Sequence, residues 1–304
     1  MRVIARSSGY AAALLLAGTA ALATPAAAQA SAALPGPTVV PCSSSALVSA
    51  INQANAARFA VLLLSRGCNY VLTTATAGDD GLPPVTGRIT LIGGPGTQIS
   101  RSPSAGPFRI LDVTSGGALT LANLTVANGK LAGPDNGGGI LDLGSLALRN
   151  VSLTGNTGGS EGVGGALFVG IGARATISGS ELDGNSASAG GAIFSLGNVA
   201  INRSALDRNA TPANGGAIFA DAGSSTSISF TSVSRNSAGS RGGGILNIGT
   251  LVLRAARVTF NHASSEGGGI FNAGSGTVSL QFTLVAFNTP DNCSPQGTIR
   301  GCRH

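Results

Sequence analysis

Tryptophan is absent from this 304-residue chain, lysine occurs once, and histidine and tyrosine occur twice each. Charged residues make up 10% of the sequence and aromatics 4%, and both shortages narrow what the chain can do. With the N-terminal signal described below set aside, sixteen basic residues stand against twelve acidic ones, an excess too small and too scattered to form the basic stripe of a nucleic-acid binder. Nucleic acid is therefore not an expected partner. So few rings also leave few stacking faces for sugars, which counts against glycan binding and more strongly against a carbohydrate-active enzyme. Beyond the N-terminus no apolar run approaches the roughly 20 residues of a membrane span, so none is expected after signal cleavage.

What the chain has in quantity is glycine, 47 residues, placed periodically. Gly-Gly-(Gly/Ala)-(Ile/Leu) begins at Gly137, Gly164, Gly190, Gly215, Gly242 and Gly267, at intervals of 27, 26, 25, 27 and 25 residues. A (Leu/Val)-x-x-Asn element ends at Asn156, Asn185, Asn209, Asn236, Asn261 and Asn288, and an imperfect earlier unit runs from Gly116 to Asn128. A period in this range marks a solenoid, whose units bury their apolar faces only by stacking. The apolar runs are three to five residues long and rich in Ile, Leu and Val, which suits strands and is too short for helices. The fold class expected is all-β: a parallel β-helix of short strands, with successive coils about 4.8 Å apart. Stacking predicts a buried column of Ile140, Leu167, Ile193, Ile218, Ile245 and Ile270. Beside it, Leu141, Phe168, Phe194, Phe219, Leu246 and Phe271 are expected to pack at the bend. The asparagines are expected to tolerate left-handed turns and to join in an amide ladder, a structural role.

These signatures, Gly-Gly-Ala-Ile and Phe-x-x-Asn with Leu or Val in the Phe position, resemble the polymorphic outer-membrane protein repeat. The chain as a whole is similar to the secreted right-handed parallel β-helix repeat proteins of GC-rich bacteria. The likeness extends to Ala46–Asn55, Gly81–Leu91 and the closing Asn292–Cys302. It implies the right-handed, pectate-lyase-like helix, a handedness that periodicity alone leaves open. No C-terminal membrane-barrel domain follows the repeats, so outer-membrane anchoring is not expected.

Arg2 and Arg6, the apolar stretch from Tyr10 to Leu22 and Ala28-Gln29-Ala30 read as a secretory signal cleaved after Ala30, giving a secreted or cell-surface protein. Four cysteines in two local pairs, Cys42 with Cys68 and Cys293 with Cys302, suit two disulfides in an oxidising compartment. A zinc site is disfavoured, because the pairs lie far apart and His262 and His304 are the only histidines. Ser43 to Arg58 alone has helical spacing, with Leu47, Ile51 and Ala54 on one face and an N-cap in Ser43 to Ser45, and is expected to cap the first coil. The expected organisation is a signal at 1–30, an N-terminal cap with a helix at 31–85, about eight coils at 86–288, and a C-terminal cap at 289–304.

Reading the repeat column by column locates the candidate chemistry. The residue after the Leu or Val of each (Leu/Val)-x-x-Asn element runs Thr154, Asp183, Asp207, Ser234, Thr259, Ala286, so Asp183 and Asp207 are stacked neighbours. The next column runs Gly155, Gly184, Arg208, Arg235, Phe260, Phe287, and Glu181 stands one pleat position before the aspartates. Asp183, Asp207 and Arg208 are the candidate catalytic residues: stacked carboxylates can split their pKa values or bind Ca²⁺, and an arginine can hold a uronate. The competing reading is a surface salt-bridge cluster. Asp79-Asp80-Gly81 is a turn signal that also offers cation ligands, and Asp135, Glu161 and Glu266 precede the glycine turns at unequal offsets. Two functions are carried forward. The first is a non-catalytic, monomeric adhesin-like protein, with no cofactor, that binds cell-surface or extracellular polysaccharide. The second is a lyase or hydrolase acting on uronate polymers, with Ca²⁺ as its possible ion.

Overall fold

In the computed structural model, residues 36–303 are described, so the signal sequence and its cleavage site lie outside the described residues. The stack begins with strand Thr38–Val40 and is built from three long parallel sheets. The first sheet has ten strands, from Thr38–Val40 to Thr277–Gln281. The second has nine, from Asn69–Leu72 to Leu284–Ala286, and the third has eight, from Leu111–Val113 to Cys293–Ser294. A short fourth sheet joins Ala210–Thr211, Ser237–Ala238 and His262–Ala263. The stack makes about ten turns, more than the glycine signature marks, because strands such as Phe59–Leu64 and Arg88–Ile92 pair in register without it.

One coil shows why short runs suffice. Ile140–Asp142 lies in the third sheet, Ser145–Arg149 in the first and Ser152–Thr154 in the second, each pairing in parallel with its equivalents one coil away. The pleat sends alternate residues inward. Ile140, Leu167, Ile193, Ile218, Ile245 and Ile270 are all fully buried, as stacking demands. The neighbouring Phe column is placed differently from expectation. It occupies the middle position of the third-sheet strands, on their outer side, because alternation leaves no other place for a residue between two inward ones. Phe168, Phe194 and Phe219 stack there with centroids 5.9 and 4.8 Å apart.

The asparagines form the expected ladder. The Asn185 amide donates to Asn209 Oδ1 at 3.0 Å, Asn209 to Asn236 at 2.9 Å, Asn236 to Asn261 at 2.9 Å and Asn261 to Asn288 at 2.9 Å. Each Oδ1 also accepts the backbone N–H of the asparagine one coil earlier, and each amide also donates to a backbone carbonyl of the preceding coil, as Asn209 does to Leu182. These groups are buried, so the ladder satisfies turn amides that would otherwise lack partners. The glycines permit the coils to approach: a Cβ on Gly216 would meet the Gly243 carbonyl oxygen at 2.1 Å.

Helix Ser44–Ala57 takes Ser43 as its N-cap, the Ser43 hydroxyl accepting from the Ala46 amide, and ends at Arg58 in the left-handed region. Leu47, Ile51 and Ala54 are buried in the shared core. Both disulfides are formed, Cys42–Cys68 and Cys293–Cys302. Among the described residues no helix is long and apolar enough to cross a membrane.

Candidate functional site

The second sheet carries the stacked acids. From Thr125–Ala127 to Leu284–Ala286 its strands are only three residues long, and each is bounded by a residue with positive φ on either side. Before the strands this column reads Asn123, Asn150, Gly179, Arg203, Phe230, Ala255, Phe282, and after them Asn128, Gly155, Gly184, Arg208, Arg235, Phe260, Phe287, all with φ between 47° and 62°. In the early coils both columns use Asn or Gly, which take this conformation at little cost. In the later coils they use Arg, Phe and Ala, each at a strain of roughly 1 kcal/mol or more. The sequence reading had the second column but not its backbone conformation, and it missed the first column altogether. The recurrence of Asn and Gly at a fixed offset was the available signal.

Asp183 and Asp207 are register partners, as are Asp207 and Ser234. Arg208 bridges the two acids, with Nη2 2.8 Å from Asp183 and Nη1 2.6 Å from Asp207. Arg235 donates to Asp207 Oδ2 through Nη2 at 2.7 Å and Nε at 3.2 Å, and the Ser234 hydroxyl donates to Oδ1 at 2.8 Å. Both oxygens of Asp207 are thus engaged and its side chain is 7% exposed, while that of Asp183 is 22% exposed. The pKa of Arg208 is raised, first by its hydrogen bond to Asp183 and then by the charges of both aspartates. Glu181 is exposed one pleat position away.

The structure therefore brings Asp183, Asp207 and Arg208 together, but on the outer face and not in a cavity. Two concavities lie along the turn before the second-sheet strands. One groove of about 720 Å³ is lined by Glu181, Arg203, Ala205, Phe230, Ser232 and Arg257, among others. Another, of about 600 Å³, is lined by Arg66, Gly93–Thr97, Asn123–Thr125, Asn150 and Ser152. In the first groove the Arg203 guanidinium lies 5.5 Å from the Phe230 ring centre. At the other end of the second-sheet strands, in the turn that follows them, Phe260 and Phe287 are exposed and stacked, 5.3 Å apart and 9° from parallel.

A second group of acids escaped the column reading because it does not repeat. Asp80 pairs through Oδ1 with Arg109, an arginine that also donates to the Asn136 carbonyl at 2.8 Å. Burial raises Asp80 to about 6 against the opposing charge of Arg109, and burial likewise raises Asp112. Asp142 is fully buried on the inward side of the third sheet, in one column with Val113, Val169, Ser195, Ala220, Asn247 and Asn272. Its Oδ1 accepts the Gly144 amide at 3.0 Å, its Oδ2 has no partner among the described residues, and burial raises its pKa to about 7. Among the described residues no three His, Cys, Asp or Glu side chains are grouped to hold a metal.

Fold and site define an all-β parallel solenoid, a β-helix with a polar and aromatic outer face. Compared with protein-family models, with curated proteins and with solved structures, the chain matches none. The likeness to the polymorphic outer-membrane repeat thus rests on the motifs alone.

Proposed function

We propose that this chain is an exported, right-handed parallel β-helix that binds extracellular or cell-surface polysaccharide through its second sheet and the turn before it, without catalysing a reaction. One observation carries the reading: Asp207 has its Oδ1 taken by Ser234 and its Oδ2 by Arg208 and Arg235. A general acid or base needs a proton-transfer position facing the substrate, and this carboxylate has none free. The groove lined by Glu181, Arg203, Phe230 and Arg257 instead offers charged hydrogen-bonding groups and one ring face to a hydroxylated chain. The two disulfides suit an oxidising compartment and support export, and the helix Ser44–Ala57 serves as the cap of the first coils. A glycan array and a cell-wall pull-down test the reading. Binding that falls at least tenfold in Arg203→Ala and Phe230→Ala supports it, and no binding to any polymer or surface sinks it.

The alternative is a polysaccharide lyase or hydrolase acting on uronate polymers. It is favoured by one feature: the Asp183 and Arg208 side chains remain 22% and 56% exposed, within reach of a ligand on the face. Release of product from uronate polymers with added Ca²⁺, abolished by Asp207→Asn, would establish the enzyme. Absence of product, with Asp207→Asn indistinguishable from the parent, would end it.

A further inference from the structure

The two ends of the stack are protected unequally. At the N-terminal end the outermost strand of the first sheet, Thr38–Val40, sits between Pro37 and Pro41, residues that discourage further pairing. At the other end, among the described residues, the first sheet stops at Thr277–Gln281, which pairs with Thr250–Arg254 on one side only. The Thr277 amide donates to Gly249 and the Gln281 carbonyl accepts from Ala255. Alternation along the strand therefore turns the N–H and C=O of Val278 and Leu280 toward the open side. Val278 and Leu280 pair in register with Leu251 and Leu253, which are fully buried, yet they are themselves only partly covered. Beyond them Phe282 is 97% exposed and Leu284 44%. Edges of this kind are ordinarily guarded by charge, but no charged residue occurs between Glu266 and Asp291.

We propose that this edge is where two copies of the chain meet, with Thr277–Gln281 pairing antiparallel to its symmetry mate about Ser279. The edge is self-complementary in that arrangement. Val278 falls opposite the mate's Leu280 and Leu280 opposite its Val278, so the outward amides on each strand meet carbonyls on the other in hydrogen-bonded pairs. The apolar side chains of both copies remain on the inner face, where each packs against its own core together with Ile299 and Cys302 of the closing segment. No charged residue stands from Gly267 to Pro290, so the two edge strands bring no like charges of their own together. Because the N-terminal strand is flanked by prolines, growth stops at two copies. This departs from the monomer expected from the sequence, where the composition of the last coil was visible but its position at an open edge was not.

Sedimentation of the full chain with its disulfides intact, from about 1 to 200 µM, covers the range in which a Kd of micromolar order shows. The expected result is a monomer–dimer equilibrium that Leu280→Lys and Ser279→Pro shift to monomer at least tenfold, while Phe230→Ser, remote from the edge, leaves it unchanged. A wild-type monomer at every concentration overturns the proposal, as does a dimer indifferent to both edge variants or an assembly that grows beyond two. Should the edge variants fail to fold, amide exchange in the wild type decides. The Val278 and Leu280 amides must gain protection as concentration rises, and the absence of any concentration dependence refutes the pairing.

Discussion

Replacing Asp142 by asparagine should stabilise this protein at neutral and alkaline pH and leave it little changed in acid. The reason lies in its column. Ser195 and Asn247, at equivalent positions, donate to the carbonyls of Gly197 and Gly249, two residues ahead of each. Asp142 accepts from the Gly144 amide, but its second oxygen has no partner among the described residues, and only a protonated carboxyl can donate as its column mates do. Burial accordingly moves its pKa from 3.8 to about 7. The folded chain holds this proton more tightly than the unfolded one, so the contribution is fully present below about pH 4 and is lost as pH rises to 7. Carrying a carboxyl that far corresponds to a loss of about 4 kcal/mol. Asparagine has the shape of the protonated acid and does not titrate. Asp142→Asn is therefore expected to exceed the parent by roughly 2 to 4 kcal/mol at pH 8.5 and to differ by less than about 1 kcal/mol at pH 4.5. Denaturant melts of both proteins across this range measure the difference, in which Asp80 and Asp112, present in both, largely cancel. A variant that is less stable than the parent at pH 8.5, or a difference constant with pH, would refute the reasoning.

Other outcomes follow from the same geometry. Asn209→Ala takes away the shared acceptor of two Asn185 donors and the side-chain donor to the Leu182 carbonyl, while the Asn236 oxygen keeps the backbone N–H of residue 209, and should cost roughly 3 to 5 kcal/mol in a denaturant melt. Gly216→Ala forces a methyl group onto the Gly243 carbonyl and should lower the melting temperature far more than Gly223→Ala, where nothing lies within 4 Å and only the positive φ opposes the change. Reducing the Cys42–Cys68 bridge, which closes a separation of 26 residues, should remove about 3 kcal/mol, read by comparing melts with and without reductant in a Cys293→Ser/Cys302→Ser background. Phe287→Asn should hold or raise stability by about 1 kcal/mol through relief of the left-handed strain, and a loss would show that stacking on Phe260 outweighs it.

The solenoid was legible because stacking repeats one environment every 25 to 27 residues, and the sequence must repeat with it. The isoleucine column, the asparagine ladder, the helix over Leu47 to Ala54 and the adjacency of Asp183 and Asp207 all follow from that register. What does not repeat was illegible. Asp142 has no carboxylate at equivalent positions, so no column singled it out, although it stands two residues after Ile140 and therefore on the same inward face. Arg109 meets Asp80 from 29 positions away in the chain. Whether Asp207 is free or saturated depended on the reach of two arginine side chains from left-handed turns, a conformation no residue name declares for Arg. The sequence by itself determined the stack and its spacing, since hydrogen bonding between coils fixes their rise at one strand separation whatever the small differences in coil length. Only the tertiary structure decided which faces are grooved, which acid is buried and which edge is left open, because these depend on where a coil stands in the stack and on which side of the pleat a residue falls.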